Sequence, residues 1–213
     1  MRFWNHYRMA KLIYRQMAEN GIQVNNTFFI IGNLGPDLYF SYLYRQHTRA
    51  RSGAHLERQL NCLYTAGAEE NATKFSFRLG VMSHYICDFL CYPHTPAFMG
   101  STREHIMHEK RQTVCADMLP FDNQKIKGLD LAKLTKTLNR QISRREHLMA
   151  RNACNDYDDY PEIPIAMYVA TWAAAGAWFY AAQTATCHCG ETPSLMRRTK
   201  GRTVETIVGT LST

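Results

Sequence analysis

The stretch from Arg78 to Arg111 constrains this chain more than any other. It carries His84, Asp88, His94, His105 and Glu109. His84 and Asp88 are four residues apart, and so are His105 and Glu109. Residues at that spacing in an α-helix lie on one face, a turn apart, so each pair can offer two cation ligands from one helix. Pro93 ends the first helix, because the residue before a proline is pushed out of the helical region, and His94 follows directly. The chain then turns through Gly100, Ser101 and Thr102 into a second helix. Helix, turn and helix bring five candidate ligands toward one point. This is read as a metal site around which the other helices pack.

Taken alone, His105 or His108 is more often an ordinary surface or core histidine than a ligand. The ordered pattern His-x3-Asp-x5-His followed by His-x3-Glu carries the reading. Imidazoles and carboxylates without thiolates suit a hydrolytic zinc cluster better than a structural one. Two or three close ions can clamp a phosphate and generate hydroxide at neutral pH. Asp88, one turn from His84 and shortly before His94, is the candidate to bridge two ions.

The rest of the chain reads as helices. Residues 3–19 put Tyr7, Ala10, Leu12, Ile13, Met17 and Ala18 near one broad face and stop at Asn20-Gly21. A buried apolar segment covers 25–33, and Pro36 is expected to break that helix or begin another. Asp37 then lies at a bend between apolar runs, where a carboxylate needs a partner or a metal. Residues 45–53 read as a basic loop, and 54–66 as a helix with His55 near its start. The central helix is expected over 72–92, its successor over 102–119, and a further helix over 129–150 through Leu131, Leu134, Leu138 and Ile142. An acidic loop at 152–164 leads to a last long helix over 165–186. No internal repeat and no convincing strand alternation is present. The fold class is all-α: a single-domain helical bundle over 1–190 with a multinuclear zinc site between helices, and a polar basic tail over 191–213.

With 213 residues, 46% of them apolar, the chain can bury one good-sized core. Ile163–Ala185 is long enough to span a bilayer. It is rich in Ala, Thr and Gly rather than Leu and Ile, and reads as a core helix instead. The N-terminus has no apolar signal-like run. Seven cysteines lack a framework spacing. Most read as reduced, buried thiols, among them Cys87 and Cys91 in the central helix. Together these point to a cytoplasmic location. Cys187-His188-Cys189 is too tight to form a zinc site by itself. The net charge of +7 favours anionic partners such as lipid head groups, nucleic acid or a phosphorylated substrate, although no dense Lys/Arg block is present.

The motif H-Y-I-x-D-x-x-x-x-P-H from His84 to His94 resembles that of the bacterial zinc-dependent phospholipases C, whose helical fold and metal arrangement are shared by the fungal single-strand nucleases. HYRMA at His6 is similar to the family's first His on its first helix. GNLGPDLYF from Gly32 to Phe40 is similar to the segment holding its catalytic Asp, and SGAHLER to the segment with its next His. His105-x3-Glu109 resembles its last ligand pair. The resemblance runs in order from about His6 to Glu109, half the chain, and is closest to the branch without signal peptides.

The resemblance implies a zinc-dependent phosphodiesterase of phospholipase C type, with two or three zinc ions. His94, His105 and Glu109 would hold one ion, and His55, His84 and Asp88 a second. His6 and Asp88 with a further ligand would hold a third. Asp37 would be the general base or water-orienting residue. Tyr39 and Phe40 would line the substrate pocket. His47 would contact substrate unless it replaces His55 as a ligand. The substrate would be a phospholipid or other phosphodiester, with peripheral contact to an anionic membrane and no stable nucleic-acid complex. The same scaffold would also serve a nuclease or nucleotidase. A non-enzymatic, metal-stabilised binding module is the remaining alternative, with Arg197, Arg198, Lys200 and Arg202 in its basic tail.

Overall fold

The computed structural model describes residues 3–38, 47–66, 71–111, 130–152 and 162–188. They form seven α-helices: α1 (Phe3–Glu19), α2 (Asn26–Leu38), α3 (Arg49–Ala66), α4 (Ala72–Phe89), α5 (Thr102–Arg111), α6 (Leu131–Asn152) and α7 (Glu162–His188). A 3-10 turn at Tyr92–His94 follows α4, and no strand is present among the described residues. The all-α reading holds. The segments 39–46 and 191–213, and Cys115, Cys154 and Cys189, lie outside the described residues.

Local chemistry sets most helix ends. α1 buries Met9, Ala10, Ile13 and Met17 on one stripe. It stops at Gly21, whose φ of 74° suits glycine alone among these residues. Gly21 N–H then donates to Ala18 O at 3.0 Å and Ile22 N–H to Met17 O at 3.0 Å, closing the helix end in a Schellman arrangement. Asn71 caps α4, its side chain accepting from Thr73 N–H at 2.7 Å. Ser101 and Glu104 begin α5 with a reciprocal capping box.

α4 is the axis of the bundle. Every residue from Leu79 to Phe89 is buried, because α2, α3 and α7 surround it. The closest approach is to α2, and two glycines permit it. A Cβ on Gly32 would lie 2.1 Å from the carbonyl oxygen of Phe77, and a Cβ on Gly80 would lie 2.1 Å from that of Phe29. Backbone therefore meets backbone at this crossing. α7 uses the same device more loosely, burying Ala166, Ala170, Ala173, Ala174 and Ala177. It is the core helix expected, and no helix among the described residues is long and apolar enough to cross a membrane.

Several boundaries depart from the sequence reading: α4 ends at Phe89 rather than at residue 92, where the 3-10 turn begins, and three others also differ. Pro36 neither breaks α2 nor begins a new helix. It lies inside the final turn, two residues from the end at Leu38, where its missing N–H removes one bond only. α3 begins at Arg49, not Ala54, so half of the expected basic loop is helical. Its first turn is held by Ser52 N–H on Thr48 O at 2.9 Å, and by Arg49, which bonds Ser143 and Glu146 of α6 at 2.8 and 3.0 Å. α7 begins at Glu162, with Pro164 in its first turn, where a helix needs no N–H. Cys62, Cys87 and Cys91 are free thiols; burial pushes the Cys87 thiol well above its ordinary pKa.

Candidate metal centre

The site forms where α4 ends, beside α1, α2 and the start of α3. Asp88 is its hub and is wholly buried. Its Oδ1 lies 3.1 Å from His6 Nε2 and 3.5 Å from His94 Nε2. Its Oδ2 lies 2.9 Å from His47 Nδ1 and 3.1 Å from His84 Nε2. One carboxylate thus serves imidazoles from four different parts of the chain, two on each oxygen. Asp37 approaches from α2, with Oδ1 3.6 Å from His47 Nδ1 and 3.8 Å from His84 Nε2. A second cluster adjoins the first through His94. His94 Nε2 and His105 Nε2 lie 3.4 and 2.7 Å from Glu109 Oε1.

Three sets of ligand atoms are close enough to grip a cation: His6, Asp37 and His84; His47, His84 and Asp88; and His94, His105 and Glu109. The protonation states suit zinc, which takes neutral imidazole and ionised carboxylate. Burial and the neighbouring His84 lower the His6 pKa to about 4. Burial also lowers that of His94. Burial alone would raise the Asp88 carboxyl, but the surrounding positive charge, to which His94, His6 and His84 contribute, outweighs it and holds it well below the usual carboxylate range. Glu109 is likewise held below that range, since hydrogen bonds from His105 and His94 overcome its burial. His47 moves the other way: burial opposes, but the hydrogen bond and charge of Asp88, with the charge of Asp37, raise its pKa.

One contact tests the fit directly. His84 Nδ1 donates to the carbonyl of Asn33 at 2.8 Å, so in neutral His84 the Nε2 carries a lone pair. That lone pair faces Asp88 Oδ2, itself an acceptor, at 3.1 Å, and His47 Nδ1 at 3.2 Å. Acceptor against acceptor is unfavourable until a cation stands between them. Two further polar atoms, His6 Nδ1 and Asp37 Oδ2, are buried without a hydrogen-bond partner among the described residues. The donor set and these opposed lone pairs fit zinc.

His6, Asp37, His84, Asp88, His94, His105 and Glu109 are therefore brought together. His55 is not in any of the three sets. It lies on α3 with its ring 5.3 Å from that of Tyr85 and its Nε2 3.3 Å from Gln59 Nε2. His47, expected as a substrate contact or as its competitor, occupies the place beside Asp88. The earlier start of α3 accounts for the exchange: His47 lies two residues before the helix, and His55 is already in its second turn. His108 meets Tyr92, with ring centres 5.8 Å apart, and belongs to no ligand set. Tyr39 and Phe40, the expected substrate contacts, lie outside the described residues. The sequence reading missed Asn33, whose carbonyl orients His84. A main-chain carbonyl leaves no mark in the sequence, so no local signal could have found it.

A family model for zinc dependent phospholipase C matches residues 5–181. No curated protein and no solved structure matches the chain. The matched span reaches well past Glu109, where the recognisable motifs end, and takes in α6 and most of α7. With the ligand sets inside it, the chain belongs to the zinc-dependent phospholipase C family.

Proposed function

We propose that this protein hydrolyses phospholipids in the phospholipase C manner, releasing the phosphorylated head group from diacylglycerol. The observation that carries the proposal is the division of Asp88, whose two oxygens face separate pairs of imidazoles. In this reading His94, His105 and Glu109 hold one zinc. His47, in place of His55, holds a second with His84 and Asp88. His6 and Asp88 contribute to a third. Bound zinc supplies positive charge for the phosphate oxygens and acidifies a bound water.

The protein's own groups then orient and move protons. The Asn33 carbonyl keeps the His84 proton on Nδ1 and so keeps Nε2 available as a ligand. Asp37 has Oδ1 turned toward His47 and His84, while Oδ2 has no protein partner among the described residues. Oδ2 accepts the proton of the attacking water as its oxygen bonds to phosphorus. The bond from phosphorus to the glycerol oxygen breaks, and that oxygen takes up a proton from solvent water, to which Asp37 returns the one it accepted. Asp37→Asn is expected to lose about 10²–10⁴-fold in turnover, the usual range for a general base.

The test is diacylglycerol release by zinc-loaded protein from vesicles of phosphatidylcholine, phosphatidylethanolamine or phosphatidylglycerol. Release from at least one of them is expected. Silence on all three, with cleavage of single-stranded DNA, would replace this reading with a nuclease. The ligand assignment has its own check in zinc content by plasma mass spectrometry. His47→Ala is expected to lose about one ion per chain, and His55→Ala none. The reverse pattern would restore His55 to the cluster.

A further inference from the structure

α5 is attached to the protein differently from the other helices. Of its ten residues only Glu109 is buried, and Ile106 and Met107 are exposed. No apolar stripe docks it. Its described contacts are polar and aromatic: Glu109 to His94 at 3.4 Å, the His105 ring 4.9 Å from that of His94 and 5.7 Å from that of Phe98, and the His108 ring against Tyr92. One further bond arrives from the other end of the matched span. Asn5 Nδ2 on α1 donates to the main-chain carbonyl of Glu109 at 2.9 Å.

Asn5 is 3% exposed. A carbonyl can only accept, so the amide nitrogen is fixed toward Glu109 and the amide oxygen turns elsewhere. That Oδ1 is buried and meets no donor among the described residues. An apolar side chain would fill this volume without an unmet acceptor, so packing does not account for an asparagine here. Its position does. Asn5 adjoins His6, and its acceptor belongs to Glu109. One amide therefore joins the helix that brings a histidine to Asp88 and the helix that brings two ligands to His94.

We propose that Asn5 is a positioning residue for the zinc ligands. Its amide holds α5 against α1 so that His105 and Glu109 close on His94. Without it, the His94–His105–Glu109 position loses zinc before the positions built on Asp88. The inference rests on the zinc assignment given under the proposed function. Its test reads metal and backbone rather than lipid turnover, so it can fail while the phospholipase reading stands, and the reverse.

The experiment compares wild type, Asn5→Ala, Asn5→Leu and His105→Ala as full-length chains. Zinc stoichiometry and affinity are read by chelator competition, and amide hydrogen exchange over residues 102–111 by mass spectrometry. In the Asn5 variants, one ion is expected to bind about 10- to 100-fold more weakly, the usual effect of losing a group that orients a ligand. The remaining ions keep their affinity. The amides of α5 exchange faster, as in His105→Ala, while those of α4 keep their protection. If the cavity in Asn5→Ala prevents folding, Asn5→Leu decides, since it keeps the volume and removes the donor. Wild-type zinc affinity and unchanged α5 exchange in a folded variant would overturn the proposal. So would equal weakening of every ion with faster exchange throughout, which is the mark of general packing.

Discussion

Asp88→Ala is expected to remove more than one zinc from each chain and to reduce lipid hydrolysis by at least about 10³-fold. A ligand facing a single metal loses one ion when deleted, whereas Asp88 faces His6 and His94 with one oxygen and His47 and His84 with the other. Its loss leaves four imidazoles without the one carboxylate that faces all of them. Charge stabilisation by metal is worth several kcal/mol in the transition state, and each ~1.4 kcal/mol is a factor of ten in rate. Plasma mass spectrometry of protein purified without chelator or metal-affinity resin gives the stoichiometry, and diacylglycerol release gives the rate. Loss of one ion or none, with a rate within tenfold of wild type, would mean that Asp88 does not bridge.

Gly80→Ala is expected to be strongly destabilising. The added Cβ would lie 2.1 Å from Phe29 O, 2.6 Å from Asn33 N and 2.9 Å from Gly32 C. All three are backbone atoms, so no side chain can turn aside and α2 must move as a unit. Overpacking of this kind costs about 1–3 kcal/mol, sometimes more. For a chain of this size that lowers the thermal midpoint by up to roughly 10 °C. The displacement also reaches the site, because α2 carries Asn33, which orients His84, and Asp37. Weaker zinc binding should therefore accompany the lower midpoint. Gly53→Ala is the control. Its Cβ would meet only Arg49 Cγ, at 3.7 Å, and alanine favours a helix interior by up to about 1 kcal/mol. Calorimetry should show a drop for Gly80→Ala and none for Gly53→Ala. Equal midpoints would mean that the α2–α4 crossing is looser than the backbone spacing indicates.

Much of the site was legible because its ligands come in helical pairs. His84 with Asp88, and His105 with Glu109, need only the 3.6-residue repeat to share a face. Pro93 lies four residues past the end of α4 at Phe89 and keeps the helix from running on. The stripes of α1 and α6 are legible for the same reason, each having one wet and one dry side. Pro36 and the start of α3 were misread because local signals there are outweighed by the surroundings. A proline in a final turn costs little once the helix is pinned along its length, and α2 is pinned by its glycine crossing with α4. The start of α3 is extended by Arg49 bonding to α6, some ninety residues further along the chain.

The sequence by itself determined the fold class, the main helices and the chemical type of the site, since periodicity and ligand identity are local properties of the chain. Tertiary structure alone decided which histidine meets Asp88. His47 and His55 are chemically equivalent, and only the packing of α3 on α4 and α6 distinguishes them. It alone disclosed the roles of Asn5 and Asn33, because a hydrogen bond across 104 or 51 residues leaves no periodic trace. It also brought Asp88 within reach of imidazoles from α1, α4, the start of α3 and the turn before α5. That convergence depends on two helices approaching until their backbones touch.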